Sequence, residues 1–387
     1  MKKILTLNNI SSIGLERLPL DQYEISSESS APDAILLRSF KMHDMEIPAS
    51  LKAVGRAGAG TNNIPVDKMT GEGIPVFNAP GANANAVKEL TLAGMLLAAR
   101  NICPAWDYVC KLEGENDKIS KDVEAGKKTY GGFELPGRTL GVIGLGAIGV
   151  MVANSAKALG MNVVGFDPQL TVRSAWQLSS AVMQASGIDD LVSRSDFITF
   201  HVPLNDHTRG LINRDRIAMM KEGVVVLNFS RGEVVDDEAM IEALDSGKVH
   251  AYVTDFPTKE LKNHPKVIGL PHLGASTGEA EDNCAIMVAD QVKDFLENGN
   301  IINSVNFPEL VVPRAGVARL TVVNKNIPNM VGQISTAIAD AGLNIADMTN
   351  KSRGDIAYTI VDVESEISDD TVAKIEAIEG VVKVRVL

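Results

Sequence analysis

Three glycines in the spacing GxGxxG, Gly144, Gly146 and Gly149, have the arrangement that cradles a diphosphate. They follow an apolar run that predicts a strand and open a helical pattern, which is the context that a dinucleotide site requires. The first glycine permits the tight turn, the second lets the backbone approach the phosphates, and the third lets helix and strand pack closely. Ala147 and Ile148 would begin the helix, where free N–H groups favour an anion. The motif predicts a dinucleotide-binding site.

Asp167, at the end of the next predicted strand, indicates which dinucleotide binds. A carboxylate there accepts hydrogen bonds from the ribose hydroxyls and would repel a 2′-phosphate. Pro168 and Gln169 follow, with no arginine that could hold such a phosphate. We therefore predict NAD rather than NADP. The structural alternative is an exposed aspartate that merely ends a strand.

Three side chains that follow later strands of the same series could carry out the chemistry. The carboxyl ends of parallel strands share one rim, so Arg231, Asp255 and His272 are expected to lie together there. The imidazole of His272 could take a hydroxyl proton near neutral pH, and Arg231 could hold a carboxylate with two hydrogen bonds. Glu260 could reach the other ring nitrogen of His272, and Asp255 would face the nicotinamide. The set predicts oxidation of a secondary alcohol beside a carboxylate.

The remaining residues at these strand ends are expected to line the cofactor site. His201 would shape the adenosine pocket through its backbone, with no catalytic role for its ring. The other predicted cofactor contacts are Val202, Pro203, Thr208, Phe229, Ser230 and Gly274. Each assignment has a structural alternative. His272 could be a structural histidine at a strand end, Arg231 a surface charge, and Glu260 a solvated residue between Lys259 and Lys262.

Short apolar runs that alternate with helical patterns must position these groups. This alternation predicts βαβ units and parallel sheets. Predicted strands are 3–7, 34–37, 53–55 and 75–77, then 141–143, 163–166, 197–202, 224–228, 251–254 and 267–270. A helix is predicted over 83–99, and 117–128 is predicted to be a solvated loop or helix end. Residues 317–387 have the order β-α-β-β-α-β, which is ferredoxin-like. The predicted fold class is α/β, with two doubly wound Rossmann-like lobes and a ferredoxin-like C-terminal domain.

Composition excludes several classes of protein. The chain has 37 basic and 49 acidic residues and a formal net charge of −12, which argues against nucleic-acid and membrane-surface binding. Three cysteines without a CxxC pair cannot build a disulfide framework or a zinc ribbon, so no metal is expected. We find neither a signal-peptide core nor an apolar run of about 18 residues, and a cytoplasmic protein is expected.

Several of these motifs resemble the D-isomer-specific 2-hydroxyacid dehydrogenase family, and the resemblance covers nearly the whole chain. The residues that carry it are 144–149, Asp167, 201–204, 230–232, Asp255 and 271–274. The family's Arg–Glu–His triad falls on Arg231, Glu260 and His272. The segment from Asp255 to Leu261 departs from the usual Asp-Val-Phe-x-x-Glu-Pro.

The resemblance implies an NAD-dependent oxidation of D-3-phosphoglycerate to 3-phosphohydroxypyruvate, the first step of L-serine biosynthesis. It also implies a discontinuous substrate-binding domain of residues 1–95 and 279–306 around an NAD-binding domain of 96–278. Residues 316–387 would form an ACT-like domain for regulation or oligomerisation. Closure of the lobes over substrate is expected.

Two arginines at strand ends of the first lobe, Arg38 and Arg56, are expected to bind the substrate phosphate. The backbone N–H groups of Ala57, Gly58, Ala59 and Gly60 are expected to hold its carboxylate. Asn83 matches a family position that lines the substrate cleft. Both arginines could instead be solvated charges.

The ACT-like domain could bind an amino-acid effector. Asn326 and Asn344 match two residues that contact serine in regulated family members, whereas Asn324 and Asn329 replace a histidine and a glycine of that pattern. The alternative is a domain that only holds the oligomer together. Pairing of like domains favours a homodimer or homotetramer.

Two other functions remain open from the sequence. One is another D-2-hydroxyacid dehydrogenase, such as a hydroxypyruvate, glyoxylate or 2-oxoglutarate reductase. The other is a catalytically silent, NAD-sensing binding protein. The complete triad argues against the latter.

Overall fold

The computed structural model describes residues 1–387, and contacts within the chain divide it into two units, 1–83 with 278–387 and 84–277. The first 83 residues form a five-stranded parallel sheet in the order β2-β1-β3-β4-β5. Its elements are β1 (Lys2–Leu7), α1 (Ser12–Leu15), β2 (Tyr23–Ser26), β3 (Ala34–Leu37), β4 (Ala53–Arg56), α2 (Val66–Gly71) and β5 (Val76–Asn78). The edge strand β2 was not predicted, because its alternating polar residues lack the apolar run of a strand buried on both faces.

The second unit contains a seven-stranded parallel sheet in the order β12-β11-β10-β9-β6-β7-β8. Its strands are β6 (Thr139–Ile143), β7 (Asn162–Phe166), β8 (Met183–Gln184), β9 (Phe197–Phe200), β10 (Val224–Asn228), β11 (Val249–Thr254) and β12 (Val267–Gly269). Its helices are α3 (Ala84–Ala99), α4 (Ile102–Cys110), α5 (Asn116–Gly126), α6 (Ala147–Ala158), α7 (Val172–Gln177), α8 (Ile188–Arg194), α9 (Arg214–Met219) and α10 (Asp237–Ser246). Apolar clusters cover both faces of the sheet. The strand order reverses between β6 and β9, and the carboxyl ends of strands at such a switch point are where open α/β sheets bind ligands.

The chain then returns to the first unit. Its last elements are α11 (Gly278–Asn298), β13 (Ala318–Lys325), α12 (Met330–Asp340), β14 (Ile345–Arg353), β15 (Ile356–Val363), α13 (Asp369–Glu376) and β16 (Val381–Val386). Residues 318–386, the C-terminal domain, form a four-stranded antiparallel sheet in the order β14-β15-β13-β16. This is the predicted ferredoxin-like order.

Helix α11 covers the first sheet closely. A Cβ atom on Gly55 of β4 would lie only 2.6 Å from the Val288 side chain of α11. The helix therefore packs directly against the backbone of this strand. The C-terminal domain joins the same core, because Tyr358 and Ile360 of β15 cluster with Val292 and Phe295 of α11. The other face of the small sheet packs on α12 and α13.

The predicted fold class is confirmed, with corrections to individual elements. The second sheet has seven strands rather than six, because the two-residue β8 is too short to leave a pattern. Most of residues 117–128, predicted as a solvated loop or helix end, belongs to the exposed helix α5 (Asn116–Gly126). Contacts assign all of α3 to the second unit, whereas the sequence prediction divides the domains at residue 95. No helix combines the length and the apolar character that a membrane span requires.

Candidate active site

The glycine-rich turn between β6 and α6 has a separate physical reason for each glycine. Gly144 has a φ of +89°, and a Cβ atom there would lie 2.5 Å from the carbonyl oxygen of His201. A Cβ on Gly149 would collide with the carbonyl oxygen of Gly144. A Cβ on Gly146 would meet no atom within 4 Å. The protein's own packing therefore requires two of the glycines, and Gly146 instead keeps open a space that a ligand can use.

The N-terminus of α6 is ready to bind an anion. Gly146 precedes the helix and supplies no side chain to cap it, so the first N–H groups of α6 are not capped by a side chain. Asp167 lies beside this turn, where its Oδ2 accepts a 2.8 Å hydrogen bond from the Leu145 N–H and its Oδ1 accepts one of 2.8 Å from the Gln169 N–H. A diphosphate at the helix and a ribose at the carboxylate fit this arrangement.

A buried asparagine at the end of β10 shapes the loop that carries Arg231. Asn228 accepts hydrogen bonds from the Ser230 N–H and hydroxyl at 3.2 and 3.0 Å, and donates to the Arg231 carbonyl at 2.9 Å. It also contacts the hydroxyl of Tyr252, whose pKa burial raises to about 12. The Arg231 side chain is exposed and its Nη1 donates to the Ser230 carbonyl at 2.6 Å. Sequence reasoning missed Asn228, although an asparagine that ends a buried strand was a signal.

His272 is held by its backbone. It has a φ of +35°, which is unusual for a residue with a Cβ atom, and its N–H donates to the Asp255 carbonyl at 3.1 Å. Its ring packs against Phe256 with centroids 4.7 Å apart, and the residue is exposed. The imidazole is therefore presented on the surface of this unit at a set position.

Asp255 is buried beneath this rim. Its Oδ2 accepts a 3.2 Å hydrogen bond from the Gly274 N–H, whereas its Oδ1 is buried without a partner. Burial raises the pKa of this carboxyl, against the opposing effects of the Gly274 N–H and of the positive charges of His272 and Arg231. The structure thus brings Arg231, Asp255 and His272 together. The unpartnered Oδ1 fits an amide donor such as that of nicotinamide.

Glu260 does not join His272 in this structure. It lies exposed in the turn after β11, and no hydrogen bond or ion pair connects its carboxylate to the imidazole. Its charge acts instead on Asp237, whose pKa is raised mainly by burial and further by Asp236 and Glu260. The turn is anchored by the buried Leu261. The pairing of Glu260 with His272 stays a prediction.

The backbone of His201 borders the glycine-rich turn. Its N–H donates to the Ile143 carbonyl at 2.8 Å, and its own carbonyl borders Gly144. The ring Nε2 lies 3.1 Å from the Thr199 hydroxyl, and burial lowers the pKa of the ring to about 3. The imidazole is therefore neutral near pH 7 and poorly suited to take a proton.

The loop after β9 holds the remaining predicted contacts. Thr208 donates to the Pro203 carbonyl at 2.5 Å and accepts from the Asn205 N–H at 2.9 Å, so its hydroxyl closes the loop that begins with Val202. Phe229 is buried, where a Cβ on Gly94 of α3 would come within 3.1 Å of its ring.

The two arginines of the first unit are neighbours. Arg56 Nε donates to the Arg38 carbonyl at 3.1 Å, and Asn63 donates to the same oxygen at 3.2 Å. Arg38 Nη1 lies 2.6 Å from Oε1 of Glu281, a residue of α11 that sequence reasoning missed. Gly58 has a φ of +150°, and a Cβ there would collide with Nη1 of Arg56. Only glycine lets this loop pass the guanidinium.

The loop 57–60 offers fewer donors than predicted. The Ala57 N–H donates to the Leu37 carbonyl at 2.7 Å and the Gly58 N–H to the Arg56 carbonyl at 2.8 Å, so both are already engaged. The N–H groups of Ala59 and Gly60 make no hydrogen bond within the chain and remain for a ligand. Asn83 lies partly exposed in the turn before α3.

The candidate effector residues lie at opposite ends of the C-terminal sheet. Asn326 donates to the Gly354 carbonyl at 3.0 Å, at the end where β13 pairs with the start of β15. Asn344 accepts from the Glu364 N–H at 3.1 Å, at the other end. One chain does not bring these two residues together. Asn329 has a φ of +68°, which asparagine tolerates in place of the family's glycine.

Comparison with known proteins places this geometry in a family. Residues 92–274 match the D-isomer specific 2-hydroxyacid dehydrogenase, NAD binding domain. D-3-phosphoglycerate dehydrogenase of Haemophilus influenzae is 34% identical over 355 residues, 89% of this chain and 83% of that protein. The enzyme of the same name from Methanocaldococcus jannaschii is 38% identical over 338 residues, 85% of this chain and 62% of that protein. The chain therefore spans less than two thirds of the latter relative.

Solved structures agree with these sequence relatives. NAD+-bound 3-phosphoglycerate dehydrogenase of Entamoeba histolytica superposes with a TM-score of 0.61 at 26% identity, covering 80% of this chain and 99% of that one. A glyoxylate reductase from Paecilomyes thermophila superposes with a TM-score of 0.63 at 27% identity, covering 79% and 98%. The predicted cofactor, NAD, is thereby confirmed.

Proposed function

Because the chain belongs to the D-isomer specific 2-hydroxyacid dehydrogenase family, we propose that it is an NAD-dependent D-3-phosphoglycerate dehydrogenase. It would oxidise D-3-phosphoglycerate to 3-phosphohydroxypyruvate, the first step of L-serine biosynthesis. The observation that carries the choice of substrate is the pair Arg38 and Arg56, joined by a 3.1 Å hydrogen bond beside Gly58. A phosphorylated acid carries a second anionic group beside its carboxylate, and these two arginines would bind it.

The proposed mechanism assigns one task to each residue of the rim. His272 takes the proton of the substrate hydroxyl, and its backbone hydrogen bond to Asp255 holds the residue in place. Arg231 holds the substrate carboxylate. NAD, when bound, accepts the hydride. Gly146, the N-terminus of α6 and Asp167 would hold the cofactor, with the unpartnered Oδ1 of Asp255 toward its amide.

The role of Asp167 in choosing the cofactor has a direct test. We expect Asp167→Asn to lower kcat/KM with NAD and raise it with NADP, each by roughly tenfold, because one charge-assisted hydrogen bond to ribose is lost and a repulsion is removed. Initial rates with the two cofactors measure the ratio. An unchanged ratio would contradict the assignment. Asp189→Asn, at an exposed aspartate on α8, is the control.

The choice of substrate is tested by NADH oxidation with 3-phosphohydroxypyruvate, hydroxypyruvate, glyoxylate and 2-oxoglutarate. We expect the phosphorylated acid to be preferred at least tenfold in kcat/KM. Arg38→Ala and Arg56→Ala should each lower kcat/KM for it by about 10–100-fold, and for the other acids by little, since each removes a hydrogen bond to a charged group. Arg17→Ala, which breaks an exposed ion pair with Asp290, is the matched control.

Equal rates for all four acids would instead favour a general 2-hydroxyacid dehydrogenase. The glyoxylate reductase among the structural neighbours, and the ion pair that already engages Arg38, support this second candidate. Binding of NADH without turnover of any acid would favour an NAD-sensing protein.

We also propose a homo-oligomer that pairs through α4. No residue of this helix is buried, and Ile102, Trp106 and Val109 recur at helical spacing with exposures of 43, 69 and 49%. We expect Trp106→Glu to lower the mass measured by light scattering to that of a smaller assembly. Trp176→Glu, at a tryptophan that is 86% exposed elsewhere in the same unit, should not. A wild-type monomer, or equal masses for both variants, would contradict this interface.

A serine site that uses both Asn326 and Asn344 would need two copies of the C-terminal domain. Since Asn326 and Asn344 lie at opposite ends of one sheet, a site that uses both must take them from different chains. We propose this arrangement for an amino-acid effector, and binding of serine by the intact protein tests it.

A further inference from the structure

A cationic cavity lies where the C-terminal domain meets the first sheet. Its volume is about 400 Å³, and its lining includes Lys2, Lys52, Glu297 and Arg385. Lys2 begins β1, Lys52 immediately precedes β4, and Arg385 lies on β16. All of these residues belong to the first unit. We call it the junction cavity.

Arg385 has a donor that the protein leaves unsatisfied. Its guanidinium lies 4.4 Å over the Phe295 ring, and its Nη2 lies 3.4 and 3.3 Å from the carbonyl oxygens of Phe295 and Leu296. Its Nη1 is buried and has no hydrogen-bond partner. Leaving a buried charged donor without a partner costs free energy. A ligand atom that accepted this hydrogen bond would therefore contribute more binding free energy than one that accepts a hydrogen bond from an exposed arginine.

Both basic and acidic side chains surround this arginine. Lys52 pairs with Asp33 at 2.7 Å, and Asp33 also accepts from the Lys3 N–H. Glu297 accepts from the Tyr23 hydroxyl at 2.6 Å. Asp33 is therefore paired with a lysine, whereas Glu297 keeps its negative charge at the edge of the cavity, close to Lys2.

Burial is the main influence on the ionisation of the neighbouring groups. It lowers the pKa of Lys2 and of Arg385; for Lys2, Glu297 and Asp33 oppose this effect and Arg385 adds to it. Lys383 lies two residues before Arg385 on β16 and donates a hydrogen bond to the Leu51 carbonyl. Burial lowers the pKa of Lys383, Arg385 and Lys52 lower it further, and Glu72 opposes the effect. Three basic side chains around one cavity, one of them with an unsatisfied buried donor, therefore offer a site for an anion.

We propose that the junction cavity binds a small anion through a phosphate or carboxylate group, with Nη1 of Arg385 as the central donor and Lys2 and Lys52 beside it. This site is separate from Arg38 and Arg56. Because Arg385 belongs to the C-terminal domain and the lysines to the first sheet, the bound anion links the two and stabilises their packing. The site thus couples the concentration of an anionic metabolite to the attachment of the C-terminal domain.

Calorimetric titration with inorganic phosphate at constant ionic strength tests the site. The titration uses the full-length Arg38→Ala/Arg56→Ala variant saturated with NADH, so that neither the proposed substrate phosphate site nor the N-terminus of α6 contributes. We expect one binding event per chain, at least tenfold weaker after Arg385→Met or Lys2→Met. Lys3→Met is the matched control, since successive side chains of a strand point to opposite faces, and it should bind as its parent does. Titration with D-3-phosphoglycerate and with citrate distinguishes a free phosphate from an organic acid as the anion.

Thermal unfolding gives a second readout that does not depend on activity. An anion at about ten times its Kd should raise Tm by roughly 1–2 °C in the parent and in Lys3→Met, but not in Arg385→Met. Circular dichroism checks that each variant folds. If Arg385→Met does not fold, Lys2→Met replaces it as the variant with a disrupted site. The proposal is overturned if none of the three anions binds, or if binding is equal in all variants. Because the readout is binding, an enzyme without 3-phosphoglycerate activity could still pass this test.

Discussion

Replacing His272 with alanine is expected to lower kcat about 10³-fold, because proton transfer by a positioned side chain contributes about 10²–10⁴ to such reactions. In the rim formed by Arg231, Asp255 and His272, only the imidazole is suited to accept a proton near neutral pH. Asp255 is buried and its pKa is raised, but its one hydrogen bond comes from a backbone N–H that favours the charged form. His201 stays neutral because burial lowers its pKa to about 3. Steady-state rates with 3-phosphohydroxypyruvate and NADH measure the loss.

The controls separate a lost base from a disturbed loop. His207→Ala removes an exposed imidazole from the loop after β9 and should leave kcat within a factor of about two. Binding of NADH to His272→Ala, followed by fluorescence, should match the wild type. If His272→Ala keeps more than a tenth of the activity, the base lies elsewhere. The strained φ of His272 adds a second comparison, since His272→Asn tolerates the same backbone without supplying a base.

The sequence predicts those parts of the site that depend on short stretches of chain. Gly149 is required by a contact within its own turn, and Gly144 by its positive φ and by the end of the neighbouring strand β9, so their spacing carries much of the information. Arg231, Asp255 and His272 follow three parallel strands, and the common direction of such strands brings their ends to one edge. Glu260 lies in a turn without regular structure, and no strand direction determines where its carboxylate points.

Contacts between distant segments could not be predicted in the same way. Glu281 lies on α11, and nothing in its local pattern indicates that it pairs with Arg38 at the end of β3. Asn228 was missed because its role is to bind a loop rather than a ligand. Both residues contact arginines to which the proposed function assigns substrate binding.

The attachment of the C-terminal domain did leave a signal in the sequence. All eight residues of β15 are buried, whereas a sheet that faces water on one side shows alternating burial. The apolar run of β15 therefore indicates a strand covered on both faces. Arg319 and Asp362 are fully buried and joined by two hydrogen bonds of 2.6 and 2.7 Å. Arg319 also donates to the carbonyls of Asn298, Val312 and Pro313, which ties the domain to the segment that leads into it.

Arg231→Lys is expected to lower kcat/KM by roughly 10²–10³-fold although it keeps the positive charge, because removing a donor from a developing charge has an effect of that size. Lysine cannot reproduce the planar fork that binds both oxygens of a carboxylate. Arginine here also donates Nη1 to the Ser230 carbonyl at 2.6 Å, so part of the guanidinium is fixed and its remaining edge is presented to solvent. Rates with 3-phosphohydroxypyruvate and with hydroxypyruvate measure the change.

The comparison of these two acids is decisive for the roles of the arginines. If Arg231 holds the carboxylate that every 2-hydroxy acid carries, Arg231→Lys should reduce both rates by the same factor. If Arg38 and Arg56 hold the phosphate, their substitution should reduce only the first rate. If Arg231→Lys lowered the rate only with the phosphorylated acid, Arg231 would be the phosphate ligand, and the carboxylate would belong to Arg38 or Arg56. Asn228→Ala, which leaves the guanidinium in place but removes the support of its loop, should fall between Arg231→Lys and the wild type for both acids, because it acts only through the position of Arg231.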